Sequence, residues 1–238
     1  MKRAVIVVVV LGIAVALGVL VQHKVRDSGA ADGGAGTGTV SASTDAPAGD
    51  TPATDAAAKP APLVIPETLP HFELADRDGK KRSLSDWKGQ PLMVNFWATW
   101  CGPCRREIPL LNQLRVDHKA QKLEIIGIAV DFRDDVLNYA KEHPINYPLL
   151  IGEEDGLAAV QAMGVASAAF PFTVFADSQQ RIFRLHMGEL HREDAELILD
   201  RMAKVEAGTL GVPEAREQME AGLKEFATRR AAEKAAKG

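Results

Sequence analysis

The chain has 238 residues, a formal charge of −4, 46% hydrophobic residues and 25% charged ones. That balance is the one found in globular proteins, and its mild acidity gives no support to nucleic-acid binding, which needs a basic face. With only two cysteines, three positions apart, a disulfide-rich secreted scaffold is excluded as well.

Lys2 and Arg3 precede an uncharged apolar run from Ala4 to Val21. As a helix this run reaches about 27 Å, close to the roughly 30 Å bilayer core. It is longer than the apolar stretch of a cleavable signal, about 7–15 residues, so residues 1–26 are expected to form an uncleaved membrane anchor. A cleaved export signal with Ser28-Gly29-Ala30 as its site is the alternative, and a buried soluble helix is a third. Residues 27–62 are Gly, Ala, Ser, Thr and Pro with scattered Asp and one Lys, and Val40 is the only large aliphatic. Such a stretch cannot bury enough apolar surface to offset its ordering entropy and is expected to be a disordered linker.

Strands and helices alternate over residues 63–207. Phe72-Glu73-Leu74 and Lys81-Arg82-Ser83-Leu84 flank Asp78-Gly79, a hairpin turn signal. Ser85-Asp86-Trp87 reads as a helical turn, Pro91 to Ala98 as a buried central strand, and Cys101 to about His118 as a helix bent at Pro109. Leu123 to Val130 has the unbroken apolar character of a parallel strand covered on both faces. Helices are expected over Asp134–His143, Gly156–Met163 and Asp194–Ala207, and a hairpin joins Phe172–Ala176 to Arg181–His186. Residues 208–238 form a helical tail, with Pro213 at its start and Met219, Leu223 and Phe226 on one stripe. Glu225 and Arg229 have the spacing of an ion pair along it.

The chemistry concentrates at Trp100-Cys101-Gly102-Pro103-Cys104, where the central strand gives way to the helix. Attack on a disulfide requires a thiolate, and the free amides and dipole at a helix start favour negative charge on Cys101. Cys104, one turn later, is placed to resolve the mixed disulfide. Zinc would need two further ligands, and His23, His71, His118, His143, His186 and His191 show no finger spacing. A purely structural disulfide, a peroxide-consuming thiol enzyme and a non-enzymatic copper carrier are the other readings. A CxxC in place of a lone peroxidatic cysteine disfavours the peroxidase, while soft thiolates keep Cu(I) carriage open.

Residues 68–206 resemble the TlpA/ResA-like branch of the thioredoxin superfamily. The resemblance is carried by Val94-Asn95-Phe96-Trp97-Ala98-Thr99-Trp100-Cys101-Gly102-Pro103-Cys104-Arg105-Arg106-Glu107-Ile108-Pro109. It implies an α/β thioredoxin fold with an N-terminal β-hairpin, a strand–helix insertion over residues 123–143 and a central mixed sheet flanked by helices. It implies a membrane-anchored protein on the periplasmic or outer side, reducing disulfides in protein partners, as in cytochrome c maturation or copper-centre assembly. An upstream membrane dithiol donor would supply the electrons, and no cofactor beyond the redox-active Cys101–Cys104 pair is implied. Phe170-Pro171-Phe172-Thr173 takes the place of the family's cis-proline loop, so Trp100, Phe170 and Pro171 are expected to contact substrate. Phe172 is bulkier than the residue often found there. Asn95 stands where thioredoxin has a buried carboxylate, and in the resembling branch an acid at the end of the next strand takes the proton-handling part. Asp131 is that acid by spacing, a plain strand-end or capping role being the alternative. Glu107 also matches the family pattern, one turn after Cys104, where an ordinary solvated first-turn acid is the other reading.

Overall fold

The computed structural model describes residues 64–166 and 168–237. The expected anchor and the expected linker lie outside them. Among the described residues no helix is long and apolar enough to cross a membrane.

Seven strands form one mixed sheet in the order β2-β1-β5-β4-β3-β6-β7. In chain order they are β1 (Glu73–Asp76), β2 (Lys81–Ser83), β3 (Leu92–Trp97), β4 (Glu124–Val130), β5 (Leu149–Gly152), β6 (Phe172–Ala176) and β7 (Ile182–Met187). The helices are α1 (Gly102–Asp117), α2 (Arg133–Glu142), α3 (Glu154–Ala162), α4 (Arg192–Glu206) and α5 (Val212–Ala235). Parallel pairing joins β3 to β4 and β4 to β5, whereas β3–β6, β6–β7, β1–β2 and β1–β5 are antiparallel.

Local chemistry explains the hairpin. Asp76 Oδ1 accepts from the amides of Asp78 at 3.0 Å and Lys80 at 2.9 Å, and Gly79 takes the positive φ, +83°, that the turn requires. β3 is buried along its whole length, and its side chains alternate between two cores. Met93 and Trp97 face α1 and α4 with Ile108, Leu111, Leu114 and Ile198. Val94 and Phe96 face the other way, with Trp87, Val160 and Met163. Each such large side chain, fully buried, contributes about 1.5–3 kcal/mol.

Two elements depart from the sequence reading. β5 was not expected: Leu149-Leu150-Ile151 is a short apolar run wedged between Pro148 and Gly152, and only its partners β4 and β1 make it a strand. In α5 the expected Glu225–Arg229 pair is replaced. Arg229 reaches Glu193 on α4 and lies over the Phe226 ring. Beside it Arg230 Nη1 donates to Asp194 Oδ1 at 3.1 Å, and Ala215 and Met219 are buried.

Candidate active site at the start of the first helix

The sheet delivers β3 to α1 through Ala98, Thr99 and Trp100. Cys101 caps the helix: its backbone is extended, and its Sγ accepts from the Cys104 amide at 3.2 Å. That amide is one of the donors a helix start leaves free, so the site favours negative charge on Cys101 before any side chain is considered. Cys101 and Cys104 are joined as a disulfide in this structure. Cys101 keeps 5% of its surface exposed and Cys104 none, so of the two residues only Cys101 has surface that a partner can reach.

Trp100, 67% exposed, tilts against Phe170 with ring centroids 6.0 Å apart. The Phe170–Pro171 peptide is cis, and the Pro171 carbonyl accepts from the Gly188 amide at 2.9 Å. Trp100 and Phe170 thus touch beside the disulfide. Phe172 points elsewhere. It is fully buried and stacks on Phe96 at 4.4 Å, so its bulk fills the core and not the surface groove.

Asp131, just beyond β4, is buried and acts as an acceptor. Its Oδ2 accepts from the Thr99 amide at 2.9 Å and the Thr99 hydroxyl at 2.5 Å, and its Oδ1 accepts from the Phe132 amide at 2.9 Å. It therefore ties the end of β4 to the residue two before Cys101.

Glu107 is the group the sequence reading undervalued. It is 2% exposed, not a solvated first-turn acid. Asn95 Nδ2 donates to its Oε1 at 2.7 Å and the Leu190 amide donates to its Oε2 at 2.8 Å. Burial pushes its carboxyl up to about 7; the Leu190 and Asn95 hydrogen bonds oppose that shift and the nearby Glu189 charge adds to it. A signal for this was present in the sequence. Cys104, Glu107, Ile108, Leu111 and Leu114 follow helical spacing, so Glu107 stands on the buried stripe of α1. Thr173, which accepts from Asn95 at 3.1 Å, completes the cluster and carried no signal before the strand register was known.

A carboxyl whose proton affinity matches neutral pH, one helical turn from a resolving cysteine, can take and return a proton during thiol exchange. Among the described residues no group of three or more His, Cys, Asp or Glu side chains is placed to hold a metal ion.

Residues 65–205 match the model of the AhpC/TSA family. The thiol-disulfide oxidoreductase ResA of Bacillus cereus (strain ATCC 10987 / NRS 248) is 31% identical over 146 residues, which is 61% of this chain and 82% of that protein. The thioredoxin-like protein YneN of Bacillus subtilis (strain 168) is 32% identical over 135 residues, 55% of this chain and 76% of the relative. Among solved structures, a thiol:disulfide interchange protein of the thioredoxin family from Chlorobium tepidum TLS superposes with a TM-score of 0.51. It is 28% identical and spans 58% of this chain and 97% of its own. These likenesses favour disulfide exchange over copper carriage. With the thioredoxin-like sheet and the Cys101–Cys104 pair, they establish that the chain belongs to the AhpC/TSA family and is a thiol–disulfide oxidoreductase.

Proposed function

We propose that this oxidoreductase works as a dithiol reductase of disulfides in extracytoplasmic protein partners, tethered by the Ala4–Val21 run and recharged by a membrane dithiol donor. The observation that carries the reading is the buried carboxyl of Glu107, one turn after Cys104 on the same helix, whose burial raises its affinity for a proton. In the reduced protein the Cys101 thiolate attacks one sulfur of the partner's disulfide. That bond breaks, a mixed disulfide forms, and the first partner sulfur leaves as a thiolate. Glu107 then takes the proton of the Cys104 thiol. The freed Cys104 thiolate attacks Cys101 Sγ, closing the intramolecular disulfide and releasing the second partner sulfur. Two electrons pass from the cysteine pair to the partner.

Trp100 and Phe170, whose rings meet next to Cys101 in the chain, offer the surface on which the partner lies, and Pro171, buried and joined to Phe170 by the cis peptide, would shape that loop. Asp131, expected from its spacing to relay the proton, is read here as the anchor of Thr99, since both its oxygens already accept hydrogen bonds. Cytochrome c maturation and copper-centre assembly are the settings in which such a reductase would act. The apolar run behind Lys2-Arg3 supports the outer location.

A Cys104→Ser variant expressed in intact cells tests the proposal. Partners should accumulate disulfide-linked to Cys101, located outside the cytoplasmic membrane, and should vanish in the Cys101→Ser/Cys104→Ser control. No accumulation above that control, or partners confined to the cytosol, overturns it.

A further inference from the structure

Asn95 is wholly buried at the middle of β3, where the register sets it between Gly127 of β4 and Thr173 of β6. Gly127 leaves no room beside it. A Cβ there would lie 2.7 Å from Leu149 Cδ2 and 2.9 Å from Tyr147 Cε2. Asn95 Nδ2 donates to both Glu107 Oε1 and Thr173 Oγ1, and Asn95 Oδ1 has no donor at all. This is the pattern suited to an ionised Glu107, which only accepts.

A neutral Glu107 needs a different pattern. Its Oε2 faces the Leu190 amide, a backbone donor that cannot reverse, so Oε2 stays the acceptor and the proton is carried on Oε1. There it would meet the Asn95 NH2 group, donor against donor. The remaining partner is not fixed in this way, because the Thr173 hydroxyl can donate as readily as accept. A half turn of the Asn95 carboxamide resolves the conflict. Oδ1, now without a donor, would then accept from the Glu107 hydroxyl and from the Thr173 hydroxyl together.

We propose that Asn95 is a positioning residue whose carboxamide turns over with the protonation of Glu107, and that the Thr173 hydroxyl reverses with it. The proposal rests on the reading of Glu107 as the acceptor of the Cys104 proton. In that step the Cys104 S–H bond breaks, the proton goes to Glu107 Oε1, and the electron pair stays on Cys104 Sγ for its attack on Cys101. The amide turn moves no electrons. It keeps both forms of Glu107 hydrogen-bonded in a sealed interior and passes the partnerless position from Oδ1 to the Asn95 NH2 group, so it is the protonation of Glu107 that drives the turn. A carboxylate at position 95 could not do this, since it has no donor for an ionised Glu107. The other charged or titratable groups facing Glu107 are Glu189 in the β7–α4 loop, held by Arg106 of α1 at 3.1 Å, the buried Tyr147 hydroxyl ahead of β5, and Cys104. Glu189 and Tyr147 set the background against which Asn95 acts.

The test is an NMR titration of the full chain in detergent micelles, oxidised, between pH 5 and 9. The Asn95 side-chain 15N–1H signals are assigned by their loss in Asn95→Leu, and the Glu107 carboxyl carbon is followed by 13C. Both should move with one midpoint, and the amide protons should shift upfield as Glu107 is neutralised. Asn95→Leu should raise the Glu107 midpoint by about one to two pH units, through loss of a bond to the charged form. Thr173→Val should shift it as well, and Thr173→Ser should restore it. Should Asn95→Leu not fold, the Thr173 pair carries the test. Asn95 signals that stay fixed while Glu107 titrates overturn the proposal, and so does a midpoint indifferent to Thr173→Val. Failure of the underlying reading shows separately: Glu107→Gln would then reduce insulin at the wild-type rate, whatever the Asn95 signals do.

Discussion

The Leu190 amide donates to Glu107 Oε2 at 2.8 Å, which binds the loop after β7 to the first turns of α1 across a sequence separation of 83 residues. That contact fixes the orientation of a carboxyl that burial has raised to about 7. A base at that value is half ionised at neutral pH and can both accept and return a proton. Substitution by Gln should therefore lower the rate of insulin reduction at pH 8 by about 10²-fold. The wild-type rate should rise through pH 7 as Glu107 ionises, and the Gln variant should lose that inflection. Stopped-flow measurement of the resolving step across pH 5–9 checks both.

Stability should carry the same signature. An unfolded glutamate ionises near 4.5, and the folded value lies above it. The contribution of the buried neutral form is then fully present below pH 4.5 and is lost as pH rises through 7. The loss levels off at about 3 kcal/mol. Urea unfolding of the oxidised protein at pH 5 and pH 8 should show the decline, and Glu107→Gln should flatten it.

Asp131 should behave differently. Its carboxylate holds the Thr99 amide and hydroxyl, so Asp131→Ala should cost about 1–3 kcal/mol of stability and loosen the approach to Cys101. The inflection near pH 7 should remain, because Glu107 supplies it. An Asp131→Ala profile without that inflection would move the proton-handling role to Asp131.

In the C-terminal helix, Arg230 Nη2 lies 3.0 Å from Oδ2 of the fully buried Asp194, joining α5 to the start of α4. Arg230→Met should leave that charge unpaired and cost about 3 kcal/mol. Adding Asp194→Asn should recover most of the loss. Thermal unfolding of the single and double variants measures it.

Much of this was legible in the residues themselves. The unbroken apolar character of β3 and β4, the Asp78-Gly79 turn and the Cys101–Cys104 spacing are local signals, and each lies where the structure has the corresponding element. β5 was not legible, because four residues after a proline become a strand only by pairing with β4 and β1. Asp131 could be singled out by position, but its partner Thr99 could not, since that contact closes over 32 residues. Glu107 is the instructive case. Charge argued for solvent and helical spacing argued for the interior, and the spacing was the better guide. Its hydrogen bonds with Asn95 and Leu190 make that burial tolerable, and both arise from tertiary contact.

The division of labour between the two sulfurs is open to one direct measurement. The protein is reduced, reacted briefly with limiting iodoacetamide at pH 7, and the alkylated position is read by mass spectrometry of its peptides. The account predicts rapid carboxamidomethylation of Cys101 with Cys104 protected. Modification of Cys104 first, or of neither at the rate of an ordinary exposed thiol, would contradict it.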